Sequence, residues 1–198
     1  MGADGTGDQT VMTRLHKFGA TAAAIALGLA APSSAEAATA TANVTAKIVK
    51  PLVMTGGGTI ALGTLITPSA ATFSNTFTIQ PAAAQTGTYC QTGFTCSGTP
   101  AAAMFNLQGT NNTPLNLTIP LTITLTNTSW TGGGTTPTMT LNTTNSVAAN
   151  NATGIYVMQL PNSGFPGRDF WVGGSLTVTD TTAGGSYSGT FTVTADYQ

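Results

Sequence analysis

Proton transfer, nucleophilic attack and metal binding need side chains that this chain largely lacks. Its only histidine is His16 and its only glutamate is Glu36. Past them, the charged residues are Lys47, Lys50 and Arg168 against Asp169, Asp180 and Asp196. A Ser-His-Asp or Cys-His arrangement therefore has no histidine to use beyond the N-terminal segment. A carboxylate pair would need two of the three aspartates to converge. Asp169 reads as part of a Pro166-Gly167-Arg168 turn, Asp180 as a strand end, and Asp196 as close to the C-terminus, all structural roles. Cys90 and Cys96 alone do not make a zinc site. Gly132 to Gly134 is not followed by Lys-Ser/Thr or a helix, so it is no phosphate loop. Trp130 and Trp171 could each stack on a sugar. The run Phe170-Trp171-Val172 reads as core, which leaves Trp130 as the exposed aromatic. The Asn-x-Thr sequons at Asn43, Asn116 and Asn142 are what a chain this rich in Asn and Thr carries by chance. The expectation is a protein that is not an enzyme and uses no cofactor or metal.

The elements that would position a binding surface begin after an export signal. Arg14, His16 and Lys17 form a basic patch, and an apolar run follows from Phe18 to Ala31. Pro32, Ser33 and Ser34 lead to Ala35-Glu36-Ala37, an A-x-A cleavage signal. The apolar run falls short of the roughly 20 residues that a membrane span needs. Residues 1–37 are thus expected to be a signal peptide, with Met12 a candidate for the true start. The mature chain would be exported, passing through the periplasm to the cell surface or medium.

Charged residues make up 6% of the sequence, against about 25% in ordinary soluble domains. Hydrophobic residues make up 41%, so the shortage of charge does not signal disorder. A neutral surface offers no field for nucleic acid or an anionic membrane. An even number of cysteines in an exported chain favours a Cys90–Cys96 disulfide. Closing so short a loop is worth roughly 2 kcal/mol in the chain-entropy model. It would staple the polar stretch from Gln85 to Pro100.

Period two dominates the rest. Leu115, Leu117, Ile119, Leu121, Ile123 and Leu125 alternate with Asn116, Thr118, Pro120, Thr122, Thr124 and Thr126. This predicts a long strand with one buried face, at a sheet edge or bent at Pro120. Phe73, Phe77 and Ile79 alternate likewise, as do Ala103, Phe105 and Leu107, and Leu176 and Val178. The last run puts Tyr187, Gly189, Phe191, Val193, Ala195 and Tyr197 on one face. Gly56 to Gly58, Gly132 to Gly134, Pro166-Gly167, Gly173-Gly174 and Gly184-Gly185 read as turns, and Asn142 to Gly154 as a surface loop. Many short strands with glycine-rich turns predict an all-β sandwich over residues 51–198. Before it, residues 38–50 form a separate strand or arm, with Ala40, Ala42, Val44, Ala46 and Ile48 on one face and Pro51 ending it.

Three stretches carry a family resemblance: the alternating arm followed by Ile60-Ala61-Leu62-Gly63-Thr64-Leu65; Val172-Gly173-Gly174-Ser175-Leu176-Thr177-Val178; and Tyr187 to Tyr197 with its aromatic second from the end. Together they resemble an uncharacterised family of exported bacterial β-sandwich domains. That family is similar to spore coat protein U-type domains and to fimbrial subunits of the chaperone–usher pathway. The resemblance implies an immunoglobulin-like sandwich that lacks a strand and is completed by donor-strand exchange. Ala40, Ala42, Val44, Ala46 and Ile48 would then be the donor residues. Tyr187, Phe191, Val193, Ala195 and Tyr197 would form a groove wall and the chaperone contact. Copies of the chain, a periplasmic chaperone and an outer-membrane usher would be the partners. The mid-chain position of Cys90 and Cys96 departs from the fimbrial pattern, in which the disulfide often lies near the first strand. The alternative is a monomeric surface or secreted binding module, for instance for glycans, with the N-terminal strand in its own sheet.

Overall fold

The computed structural model describes residues 38–69, 72–148 and 152–198. The expected signal peptide lies outside the described residues. The chain divides into two units, Met1–Thr45 and Ala46–Gln198. In the first, residues 38–45 are exposed and form no regular element. The second is all-β, with no helix among the described residues.

One sheet is built from β1 (Val53–Gly56), β3 (Ser74–Ile79), β5 (Ala103–Gln108), β7 (Thr122–Asn127), β8 (Thr138–Asn145), β10 (Arg168–Thr179) and β11 (Tyr187–Ser188). Its order is β1-β5-β10-β8-β7-β11, and β3 pairs with the C-terminal half of β10. A second sheet has the order β12-β6-β9, from β12 (Thr194–Tyr197), β6 (Pro114–Thr118) and β9 (Ile155–Gln159). β2 (Thr64–Ile66) and β4 (Thr95–Ser97) form a short ribbon. Every strand pairing is antiparallel.

The expected alternation explains the core. Leu107, Phe170 and Val172 face inward from the large sheet, and Leu115, Leu117, Tyr156 and Met158 from the small one. Phe105 stacks on Phe170 with ring centroids 5.3 Å apart. The rest of the large sheet buries Phe77, Ile123, Leu141, Leu176 and Val178 under a cover that includes Phe94, Tyr89 and the Cys90–Cys96 bond. Phe94 meets Phe73 and Phe77 edge-on at 5.4 and 4.9 Å. The Tyr89 hydroxyl donates to the Leu62 carbonyl, and burial pushes its phenol from 10.0 up to about 12. The disulfide therefore staples the cover of a second hydrophobic cluster, and the loop it closes ends inside β4.

Several expectations need correction. The long strand from Leu115 is two strands, β6 and β7, in different sheets. Pro120 sits at the crossing, where the missing N–H costs no ladder bond, and Leu121 beside it is exposed. Asn142 to Asn145 belongs to β8 rather than a loop. Its inward residues past Leu141 are Thr143 and Asn145, which conceals the alternation. They tolerate burial because they are hydrogen-bonded. Thr143 donates to the Pro120 carbonyl, and Asn145 Oδ1 accepts from the Val147 and Ala148 amides. Gly173 and Gly174 lie buried inside β10 instead of in a turn. A Cβ on Gly173 would overlap the Ile79 carbonyl oxygen, so glycine is needed there for close approach of the chains. Trp171 is half-buried and points away from the core that Phe170 and Val172 enter. Asp169 is in β10, where its carboxylate accepts from Asn106 Nδ2 at 2.6 Å. Trp130 is exposed as expected. Residues 38–50, expected as a strand or an arm, are exposed and form no regular element.

Candidate functional site

The C-terminal stretch alternates as its sequence requires. Tyr187, Phe191, Val193, Ala195 and Tyr197 are inward and Ser188, Thr190, Thr192, Thr194 and Asp196 exposed. It crosses between the sheets in step with its neighbour. β11 pairs with β7, Tyr187 opposite Asn127, and β12 pairs with β6, Ala195 opposite Leu117. Phe191, at the crossing, packs against both hydrophobic clusters.

Yet none of these inward side chains is fully buried. Phe191, Val193, Ala195 and Tyr197 are half-buried against a cluster in which Leu107, Leu115, Leu117 and Val172 are 0% exposed. The reason is topological. β12 is the last strand of the small sheet and β1 the last of the large one, each paired on one side only among the described residues. Leu52, Met54, Ile60 and Phe105, on the β1 side, are likewise half-buried against the same cluster.

Two contacts show that these edges flank the same length of core. At one end a Cβ on Gly109 would meet the Tyr197 hydroxyl, Leu52 Cδ1 at 2.9 Å and Leu160 Cδ1 at 3.1 Å. At the other end the Phe105 and Phe191 rings meet edge-on at 6.1 Å, and Phe105 is the partner of Gly56 in β1. β1 therefore runs from the Tyr197 end toward the Phe191 end, opposite to β12. The half-buried residues of these two edges that pack on the same cluster, Leu52, Met54, Phe191, Val193, Ala195 and Tyr197, form an apolar seam.

The Tyr197 end is tied shut. The Tyr197 hydroxyl accepts from the Thr110 amide at 2.6 Å and donates to the Lys50 carbonyl at 3.0 Å. The Lys50 amide donates to Thr110 Oγ1 at 2.7 Å, and Lys50 Nζ donates to the Ser163 carbonyl at 2.8 Å. Gln198 extends the β12–β6 ladder through its amide to the Pro114 carbonyl at 3.1 Å.

A family model matches residues 52–197. The chain belongs to the family described as Domain of unknown function (DUF4402). No curated protein and no solved structure matches the chain. The DUF4402 span opens on Leu52 and closes on Tyr197, the residues that meet beside Gly109. It leaves the alternating segment before Lys50 outside.

Of the expected site residues, the structure brings Phe191, Val193, Ala195 and Tyr197 to one seam within the DUF4402 domain. Tyr187 lies apart from it in β11, at the end of the large sheet, with its hydroxyl on the Ala183 carbonyl at 2.7 Å. Ala40, Ala42, Val44, Ala46 and Ile48 are exposed. The large members are far out in solvent, Val44 at 94% and Ile48 at 84%. Cys90 and Cys96 are bonded to each other and belong to the other cluster. The opposite wall, Leu52 and Met54, was missed, although their spacing around Val53 carries the period-two signal. The Lys50–Thr110–Tyr197 tie had no sequence signal, since its partners are far apart in the chain.

Proposed function

We propose that this chain is a structural subunit of a fimbria-like filament or surface coat, built by strand exchange between copies. The observation that carries this reading is the pair of open edges, β1 and β12, whose inward residues are only half-buried over one core cluster. An added strand would complete both ladders and cover the inward faces of Phe191, Val193 and Ala195. Strand addition takes its affinity from main-chain hydrogen bonds and its specificity from alternating side chains. The segment from Ala40 to Ile48 has the right alternation. Its eight steps would extend about 27 Å and the wall from Phe191 to Tyr197 about 20 Å at ~3.4 Å per residue. An uncovered apolar edge in a chain with so little charge is an aggregation hazard during export. A periplasmic chaperone that fills the seam, and an outer-membrane usher that releases it, fit that need. A head-to-tail contact that does not close on itself yields a filament.

The test is Val44→Asp, with Thr45→Asp as control. Burying an unpaired carboxylate in the seam should abolish fibres in electron micrographs. The subunit itself should keep its melting temperature, because Val44 is exposed there. Thr45→Asp, on the opposite face, should still assemble. Normal fibres from Val44→Asp would defeat the reading. Loss of the subunit's own fold would favour the self-contained binding module.

A further inference from the structure

We propose that the Lys50–Pro51 junction, clamped by Tyr197 and Thr110, denies each subunit its own donor segment, so that the seam can be filled only by another copy. This rests on the strand-exchange reading and adds what keeps that exchange between molecules. The segment before Lys50 is covalently close to the seam and would otherwise enter it at high effective concentration. A folded-back segment would leave a closed monomer.

The geometry opposes that return. β1 starts at the Tyr197 end of the seam, as the Leu52 and Tyr197 contacts at Gly109 establish. The preceding residues would have to reverse direction within Val49–Leu52 to lie beside β1. In that turn Lys50 and Pro51 would be the central pair. Type I disfavours proline at the second central position, and type VI needs a cis bond before it. The hairpin turns I′ and II′ need a positive φ at Lys50, which is costly for a residue with a side chain. Type I′ also needs it at Pro51, where the ring forbids it. Proline further biases Lys50 toward extended backbone.

The clamp adds to this. Both main-chain groups of Lys50 are already engaged, the amide by Thr110 Oγ1 and the carbonyl by the Tyr197 hydroxyl, and Nζ reaches the Ser163 carbonyl. Reversal at this residue would give up these bonds.

The test replaces the junction with a hairpin turn, K50N/P51G, which supplies the Asn-Gly pair that type I′ prefers. A second variant inserts Gly-Asn-Gly-Gly between Ile48 and Val49 and leaves every native residue in place. Both are exported and compared with wild type and Val44→Asp by light scattering, electron microscopy and thermal melting. We expect wild type to form fibres and both junction variants to be monomers. Their melting temperatures should lie about 5–10 °C above that of Val44→Asp, as a few kcal/mol of added burial in a domain this size would give. Adding Val44→Asp to either should remove that rise. Fibres from both variants at wild-type yield, with no rise in melting temperature, would overturn the proposed block and leave strand exchange standing. A wild type that is monomeric and loses its fold on Val44→Asp would overturn the strand-exchange reading, and this inference with it.

Discussion

Ile48→Ala separates a residue that stabilises its own domain from one that stabilises a neighbour. Ile48 is 84% exposed in the subunit. Truncating it should therefore change subunit stability by no more than about 0.5 kcal/mol, as at most surface sites. In the filled seam the same side chain would lie against the core cluster, where an isoleucine is worth about 1.5–3 kcal/mol. Truncation in a packed site costs about 2–5 kcal/mol. We take about 2–3 kcal/mol, since an incoming strand can settle around the loss. At about 1.4 kcal/mol per tenfold, this is a roughly 30- to 150-fold weaker complex. The assay uses a labelled peptide of residues 38–50 and the Val44→Asp subunit, whose seam cannot be filled by its own kind. Anisotropy titrations with the wild-type and Ile48→Ala peptides give the ratio of dissociation constants. Thermal melts of the full-length Ile48→Ala subunit give the other half. A ratio within threefold would refute the argument. So would a subunit destabilised by 2 kcal/mol, because Ile48 would then be packed in its own domain.

Three further outcomes follow from the packing. Gly173→Ala should cost about 1–3 kcal/mol or more in urea unfolding, because the added methyl meets the Ile79 carbonyl oxygen and the Gln80 and Pro81 backbone at 3.0 Å, none of which can rotate away. Gly133→Ala, with nothing within 4 Å, should be neutral by the same measure. Replacing Cys90 and Cys96 together by serine should lower unfolding free energy by about 2 kcal/mol, and an unchanged denaturation midpoint would contradict the role given to the bond. Burial raises the Tyr89 phenol to about 12 in the folded state, so between pH 10 and 12 the unfolded chain loses a proton that the folded one keeps. Stability should therefore fall with rising pH in that window, and less so in Tyr89→Phe, as read from urea midpoints on either side of pH 10.

What the sequence determined by itself is whatever depends on local period and residue type. Alternation needs no knowledge of partners. It assigned the inward faces of Ala103 to Leu107, of Leu115 to Ile119 and of Tyr187 to Tyr197, and the structure places those side chains inward. The all-β class and the Cys90–Cys96 bond were legible in the same way. Only the tertiary structure decided what those faces meet. The inward positions of β8 are Thr143 and Asn145, polar residues whose burial depends on hydrogen bonds to the Pro120 carbonyl and the Val147 and Ala148 amides. Gly173 and Gly174 look like a turn until β3 and β8 press against β10 from either side. The seam itself is a property of sheet order. No pattern within Leu52–Met54 or Phe191–Tyr197 states that these stretches end different sheets over one core, or that a tyrosine hydroxyl ties Lys50 to that end. Such facts reside in contacts between residues far apart in the chain, 147 positions in the case of Lys50 and Tyr197, and a local pattern carries no information about them.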